Sequence, residues 1–101
     1  MDFDHTQLDD LIHSRIRLAV MSILAASDAV EFTFIRDRTK TTDGNLSTHL
    51  RKLEDAGYIQ VEKEFVGRKP VSRYSLTDTG RQAFTAYVER LEQMLPGRGD
   101  T

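Results

Sequence analysis

The chain has 101 residues, 39% of them hydrophobic and 30% charged, with no Cys, no Trp and a formal net charge of −2 at pH 7. That length suits one domain, and that balance suits a globular chain rather than a disordered one. The lack of Cys excludes disulfides, thiol redox sensing and Cys-ligated zinc, and no apolar run reaches the roughly 18 residues that cross a bilayer.

The first signal is a helix. Thr6 has the character of an N-cap with Asp9 three residues on, and Leu8, Leu11, Ile12, Ile16, Ala19, Val20, Ile23 and Leu24 recur at helical spacing, which predicts a helix over 6–26. The longest apolar-rich stretch, Leu18 to Ala26, is broken by Ser22 and lacks a signal-peptide layout. A cytoplasmic protein without membrane association is therefore expected. Ser27-Asp28 reads as a turn and Ala29 to Phe32 as a short strand. Thr33 can cap a short helix within 33–39, whose apolar content is only Phe34 and Ile35. Thr42 can cap the next helix, over 43–56, in which Leu46, Leu50 and Leu53 share one face and Gly57 stands where a left-handed residue ends a helix.

Tyr58 to Phe65 alternates in the manner of a strand, and Arg73 to Leu76 forms a second short run. With Val66-Gly67-Arg68-Lys69-Pro70 between them, they predict a β-hairpin across 58–76 with a long basic tip. Thr77 can cap a last helix over 78–95, with Phe84, Val88, Leu91 and Leu95 as its stripe and Tyr87 and Met94 alongside. Pro96-Gly97 ends that helix, and Arg98 to Thr101 reads as a frayed tail.

Catalytic signals are lacking. His5, His13 and His49 have no metal-ligand spacing, and His5 and His13 with Asp9 or Asp10 read as solvated polar residues. There is no phosphate loop, nucleophile elbow or dinucleotide fingerprint, and Gly67-Arg68-Lys69 lacks the helix that a phosphate loop needs. A non-enzymatic protein without metal or cofactor is expected.

Charge and the 43–56 helix point elsewhere. Residues 36–73 carry nine Lys or Arg against six Asp or Glu, a net +3, while residues 1–35 carry two against six, a net −4, and residues 74–101 three against four, a net −1. A basic middle hints at a polyanion-facing surface, although chance clustering gives the same totals. Opposite its leucines, the 43–56 helix presents Gly44, Thr48, Arg51 and Asp55, flanked by Asn45, Ser47 and Lys52, with His49 toward the flank. Small hydrogen-bonding residues on a helix can enter a major groove of about 12 Å and read base edges, while Arg and Lys suit phosphates. An ordinary solvated helix face carries the same residues, so this element alone leaves two readings level. The hairpin shifts the balance: Arg68 and Lys69 at the tip and Arg73 on the returning strand make a cationic finger for a minor groove or backbone.

The run from Thr42 to Ile59, containing Leu50-Arg51-Lys52-Leu53-Glu54-Asp55-Ala56-Gly57-Tyr58-Ile59, resembles the recognition helix and first wing strand of winged helix-turn-helix transcriptional regulators. With Phe65 to Pro70 and Tyr74-Ser75-Leu76-Thr77-Asp78-Thr79-Gly80, the pattern is similar to small single-domain regulators related to the MarR and ArsR groups, over roughly Leu8 to Leu95. The resemblance implies an α+β fold with a three-helix core, a β-hairpin wing and a C-terminal dimerisation helix. By position it makes Lys40, Thr42, Asn45, Ser47, Thr48, His49, Arg51 and Lys52 groove or phosphate contacts, and Arg68, Lys69 and Arg73 wing contacts, on double-stranded DNA. Gly80 would allow close packing of the last helix on a strand. That group usually has an apolar residue, a Gly and a second apolar residue before the recognition helix, where this chain has Thr39, Lys40 and Thr41. The departure predicts a shorter or looser first half of the motif, with Lys40 facing the DNA backbone.

The 4-3-4 spacing of Phe84, Val88, Leu91 and Leu95 is that of a short coiled-coil seam. Together with Leu11, Tyr87 and Met94 it predicts a homodimer interface between terminal helices, with room for a small-molecule effector near Phe84 and Tyr87. A homodimeric repressor is the simplest function. The competing one is a winged-helix protein-interaction module, favoured by the acidic total and by Asp43 at the groove-facing helix start, because fold alone does not fix function.

Overall fold

Ser14 starts the first regular element. Its hydroxyl accepts from the Arg17 backbone N–H at 3.4 Å, and helix α1 runs over Arg15–Ala25. A computed structural model describes residue 6 and residues 8–95 of the chain. Helix α1 is therefore shorter than the 6–26 span that the apolar stripe predicts. The reason is Asp9. Its Oδ1 accepts from the Leu11 and Ile12 N–H groups at 2.8 and 3.3 Å, a local turn that competes with helix. Leu8 and Ile12 are nonetheless buried, so the stripe marks core residues correctly while mistaking the backbone that carries them.

The other elements are β1 (Val30–Glu31), α2 (Phe32–Thr39), α3 (Asp43–Asp55), β2 (Ile59–Val66), β3 (Lys69–Leu76) and α4 (Asp78–Met94). This is an α+β winged helix fold. Helix α2 starts directly from β1 with Glu31 at its N-cap and no side-chain cap, so Thr33 lies inside the helix instead of capping it. Phe32 is drawn inward, its ring 6.4 Å from that of Tyr74.

The three strands form one antiparallel sheet in the order β1-β3-β2. The hairpin turn is tighter than the sequence suggests: only Gly67 and Arg68 lie outside the strands, and β3 extends back to Lys69 and Pro70. Gly67 has φ +66°, the left-handed conformation that a two-residue hairpin needs and glycine adopts freely. Pro70 sits opposite Phe65, one pair beyond the closing pair Val66–Lys69, while β1 reaches β3 only at Arg73 and Tyr74. Ladder bonds alternate between successive antiparallel pairs, so the missing N–H at Pro70 falls on the unpaired edge of β3.

The core joins Val20, Met21 and Leu24 of α1, Ile35 of α2, Leu46, Leu50 and Leu53 of α3, Ile59 of β2 and Tyr87 of α4. Helix α4 comes very close to the start of β2. A Cβ built on buried Gly80 would fall on the Tyr58 carbonyl group. The Tyr58 carbonyl accepts from Thr77 N–H at 3.0 Å, and the Thr77 hydroxyl accepts from Gly80 N–H at 3.0 Å.

Candidate nucleic-acid interface

Helix α3 is built to present one face. Thr42 caps it by accepting from the Asn45 N–H at 3.2 Å, and its three leucines are almost fully buried. Gly57, at φ +79°, lets the chain leave the helix, with the Gly57 N–H on the Glu54 carbonyl at 2.9 Å. Burial of three leucines contributes several kcal/mol at about 2 kcal/mol each, and it fixes which side faces out. Asn45, Ser47, Thr48, Arg51 and Lys52 are exposed. Asn45, Ser47, Arg51 and Lys52 have no side-chain hydrogen bond or ion pair among the described residues. Thr48 donates its hydroxyl to the Gly44 carbonyl at 3.0 Å, which leaves its methyl group and lone pairs to the outside.

His49 departs from the expected placement. It is half-buried, and its Nδ1 lies 2.9 Å from Arg17 Nη1. Arginine can only donate, so His49 accepts at Nδ1 and carries its proton on Nε2. Burial, then the positive charges of Arg17 and Lys52, hold the imidazole pKa below its ordinary value. A neutral His49 thus links α3 to α1. Arg17 in turn donates from Nε to the Leu11 carbonyl at 2.5 Å. Neither Arg17 nor this link has any periodic signature in the sequence, since its partners lie 6 and 32 residues away.

The turn between α2 and α3 is firm, contrary to the looseness expected from Thr39-Lys40-Thr41. Thr39 donates its hydroxyl to the Ile35 carbonyl at 2.7 Å, and Thr41 N–H reaches the Arg36 carbonyl at 3.3 Å. Lys40 adopts φ 55°, a left-handed conformation costing a non-glycine residue roughly 1–2 kcal/mol. Lys40 is exposed and lines a cleft of about 530 Å³ with Arg15, Thr42 and Asn45. Across the turn, Arg36 Nη1 pairs with Asp43 at 2.9 Å, and that hydrogen bond is the main reason the Arg36 pKa is raised. Asp43 thus has an internal cation partner, although its side chain stays exposed.

On the hairpin, alternation separates the charges. Glu62, Glu64 and Arg73 share one face, where Arg73 pairs with Glu64 and, at 3.4 Å, with Glu31 of β1. Arg73, expected among the DNA contacts, is thus a cross-strand clamp whose charge is offset by two carboxylates. Arg68 and Lys69 stay exposed at the tip with no ion pair among the described residues.

A family profile described as winged helix DNA-binding domain matches residues 16–95. The chain belongs to that family. An uncharacterized protein of Methanocaldococcus jannaschii is 29% identical over 84 residues, spanning 83% of this chain and 91% of that one. A transcriptional regulator homologue from Pyrococcus horikoshii OT3 has a TM-score of 0.79 at 25% identity and covers 86% of each chain. Reduced AbfR bound to DNA shares the fold at a TM-score of 0.76 and 21% identity, over 94% of this chain and 66% of that one.

The residues expected at a dimer seam divide within this winged-helix chain. Tyr87 is 3% exposed, and its hydroxyl lies 2.7 Å from His13 Nδ1, so it belongs to the core and is unavailable to a seam. Leu11, Phe84, Val88, Leu91 and Met94 are part-buried against the core, and Leu95 is 43% exposed. Pro96-Gly97 and the expected tail lie outside the described residues, as does His5. A second polar link was not foreseeable from the sequence: Tyr58 donates its hydroxyl to Asp9 at 2.5 Å, and that carboxylate pushes the phenol pKa up to about 12. No helix among the described residues is long and apolar enough to cross a membrane.

Proposed function

We propose that this winged-helix protein is a sequence-specific transcriptional regulator that reads double-stranded DNA as a homodimer, most simply as a repressor. The observation that carries the proposal is the outer face of α3. Asn45, Ser47, Thr48, Arg51 and Lys52 project from a helix whose other side is locked by Leu46, Leu50 and Leu53. Asn45, Ser47 and Thr48 lie toward the helix start, where small side chains permit close approach to base edges. Arg51, Lys52 and Lys40 suit phosphates, and Arg68 and Lys69 extend the cationic surface to the wing. AbfR, the fold neighbour, has been seen bound to DNA, which supports the same partner here.

Dimerisation rests on α4, where Val88, Leu91 and Met94 remain partly accessible and lead to the exposed Leu95. A helix-turn-helix dimer places two reading helices about 34 Å apart, one turn of DNA. Selection of bound duplexes from a random pool tests the whole reading. A recovered inverted repeat with half-sites about ten base pairs apart is expected, and no retardation of any duplex at low salt refutes DNA binding. Sedimentation as a monomer at micromolar concentration refutes the dimer.

A further inference from the structure

The wing tip carries an apolar residue that folding does not need. Phe65 is 74% exposed, the highest value among the exposed large hydrophobics, and the neighbouring Val66 is 56% exposed. Strand alternation and register place Ile59, Val61, Lys63 and Phe65 of β2 on one face, opposite Leu76, Tyr74, Ser72 and Pro70 of β3. That face begins in the core at Ile59 and continues off its end. Val61 is half-buried and Lys63 and Ser72 form a polar step, but the last pair, Phe65 and Pro70, is apolar again with nothing over it. Exposed aromatic area at a hairpin tip gives the monomer no burial and is a mark of a contact surface.

The charges say what that surface meets. Glu62 and Glu64 lie on the opposite face of the hairpin, where Glu64 pairs with Arg73, so the Phe65 face carries Lys63 and no carboxylate. Arg68 stands beside it in the turn without an ion pair among the described residues, while Lys69, paired with Val66, lies on the opposite face. The face therefore combines Lys63, and Arg68 at its end, with an apolar last pair. A polyanion that also exposes apolar surface fits it, and a DNA minor groove lined by phosphates, sugars and stacked base edges has that chemistry. Apolar side chains, Phe among them, enter minor grooves as wedges between base steps.

We propose that Phe65, backed by Pro70, is an apolar wedge that the wing seats in the minor groove, partly unstacking the base step it meets. The proposal rests on the DNA-binding reading above and adds to it a contact that selects deformable steps without hydrogen bonds to bases.

The test uses the full chain and a duplex recovered by selection, with 2-aminopurine placed in turn at each position flanking the half-sites. Phe65→Ala keeps the wild-type melting temperature, because the ring is largely solvated. It is expected to raise Kd on the order of tenfold, from the lost burial of one aromatic ring, and to abolish a 2-aminopurine fluorescence rise that the wild type produces at one flanking position. The slope of log K against log salt stays unchanged, since no phosphate contact is lost. Arg68→Ala is the contrasting variant, lowering that slope by about one unit. Wild-type Kd for Phe65→Ala, or the same fluorescence with and without the ring, overturns the wedge. Phe65-dependent sedimentation with phosphatidylglycerol vesicles, combined with unaltered DNA binding, also overturns it and assigns the face to an anionic lipid surface. A wild-type chain that retards no duplex at low salt refutes the DNA reading itself, whereas failure of the Phe65→Ala arm alone leaves that reading standing.

Discussion

Gly44 and Gly80 both lie in the first turn of a helix, and the same substitution should act on them with opposite sign. Alanine normally gains up to about 1 kcal/mol over glycine inside a helix, because glycine loses more backbone freedom on folding. At Gly44 a Cβ would enter open space, so Gly44→Ala is expected to be neutral or to stabilise by a few tenths of a kcal/mol up to that limit. At Gly80 the added carbon meets the carbonyl oxygen, carbonyl carbon and Cα of Tyr58. All three are backbone atoms, so no rotamer change can relieve the overlap. The first turn of α4 has to withdraw, which weakens the Thr77 N–H bond to the Tyr58 carbonyl and the short Thr77 hydroxyl bond to the Gly57 carbonyl. Two such bonds are worth about 1 kcal/mol each, and overpacking adds roughly 1–3 kcal/mol. After the helix gain is subtracted, Gly80→Ala should destabilise by about 2–4 kcal/mol. For a domain of this size that lowers Tm by roughly 8–32 °C, at about 4–8 °C per kcal/mol. Thermal unfolding followed by circular dichroism measures both variants under one set of conditions. A Gly80→Ala chain that melts with the wild type would refute the close approach of α4 to β2, and with it the docking of the whole last helix.

Four further outcomes follow from the interface. Arg68→Ala with Lys69→Ala should weaken binding to all duplexes and reduce the salt slope by about two units, while Arg73→Ala should change the slope much less because its charge is already balanced by Glu31 and Glu64; fluorescence anisotropy titrations across salt concentrations compare them, and equal slopes for Arg73→Ala and Arg68→Ala would refute the clamp. Asn45→Ala or Thr48→Ala should erode discrimination between selected and random duplexes more than total affinity, as competition binding reads directly. The His49 pKa is lower folded than unfolded, so the unfolded chain binds more protons and the associated stability is complete above the ordinary value of 6.5 and declines as pH falls through it. Urea titrations at several pH values should show that decline, and His49→Gln should flatten it. The Tyr58 pKa is raised to about 12 by Asp9, so its linked stability is full below pH 10 and is lost as pH climbs toward 12; Tyr58→Phe should remove that alkaline loss at a cost of roughly 1–2 kcal/mol near neutrality, for one hydrogen bond to a carboxylate.

What local chemistry controls was legible in the sequence. Thr42 and Gly57 bracket α3 because an N-cap hydroxyl and a left-handed glycine act within a few residues of themselves. Leu46, Leu50 and Leu53 pointed to the core because helical periodicity needs no partner to be recognised. The order of elements and the exposed face of α3 followed from the same short-range rules. Boundaries failed where a side chain offered the backbone another arrangement: Asp9 turns the chain before α1, and β1 feeds α2 before Thr33 can cap it.

The tertiary structure alone decided which charges and which apolar residues are spent internally. His49, Arg73 and Asp43 looked like members of an outer face, yet Arg17, two glutamates and Arg36 take them up. Tyr87 looked like part of a helical seam and lies in the core against His13. Conversely, Phe65 shares its strand face with the buried Ile59, and the hairpin carries it past the end of the core into solvent. Composition and periodicity record which side chains are present and which face of their own element they share. Whether a given face meets core, carboxylate or water depends on contacts between residues as far apart as 74 positions, and only the folded chain brings those together.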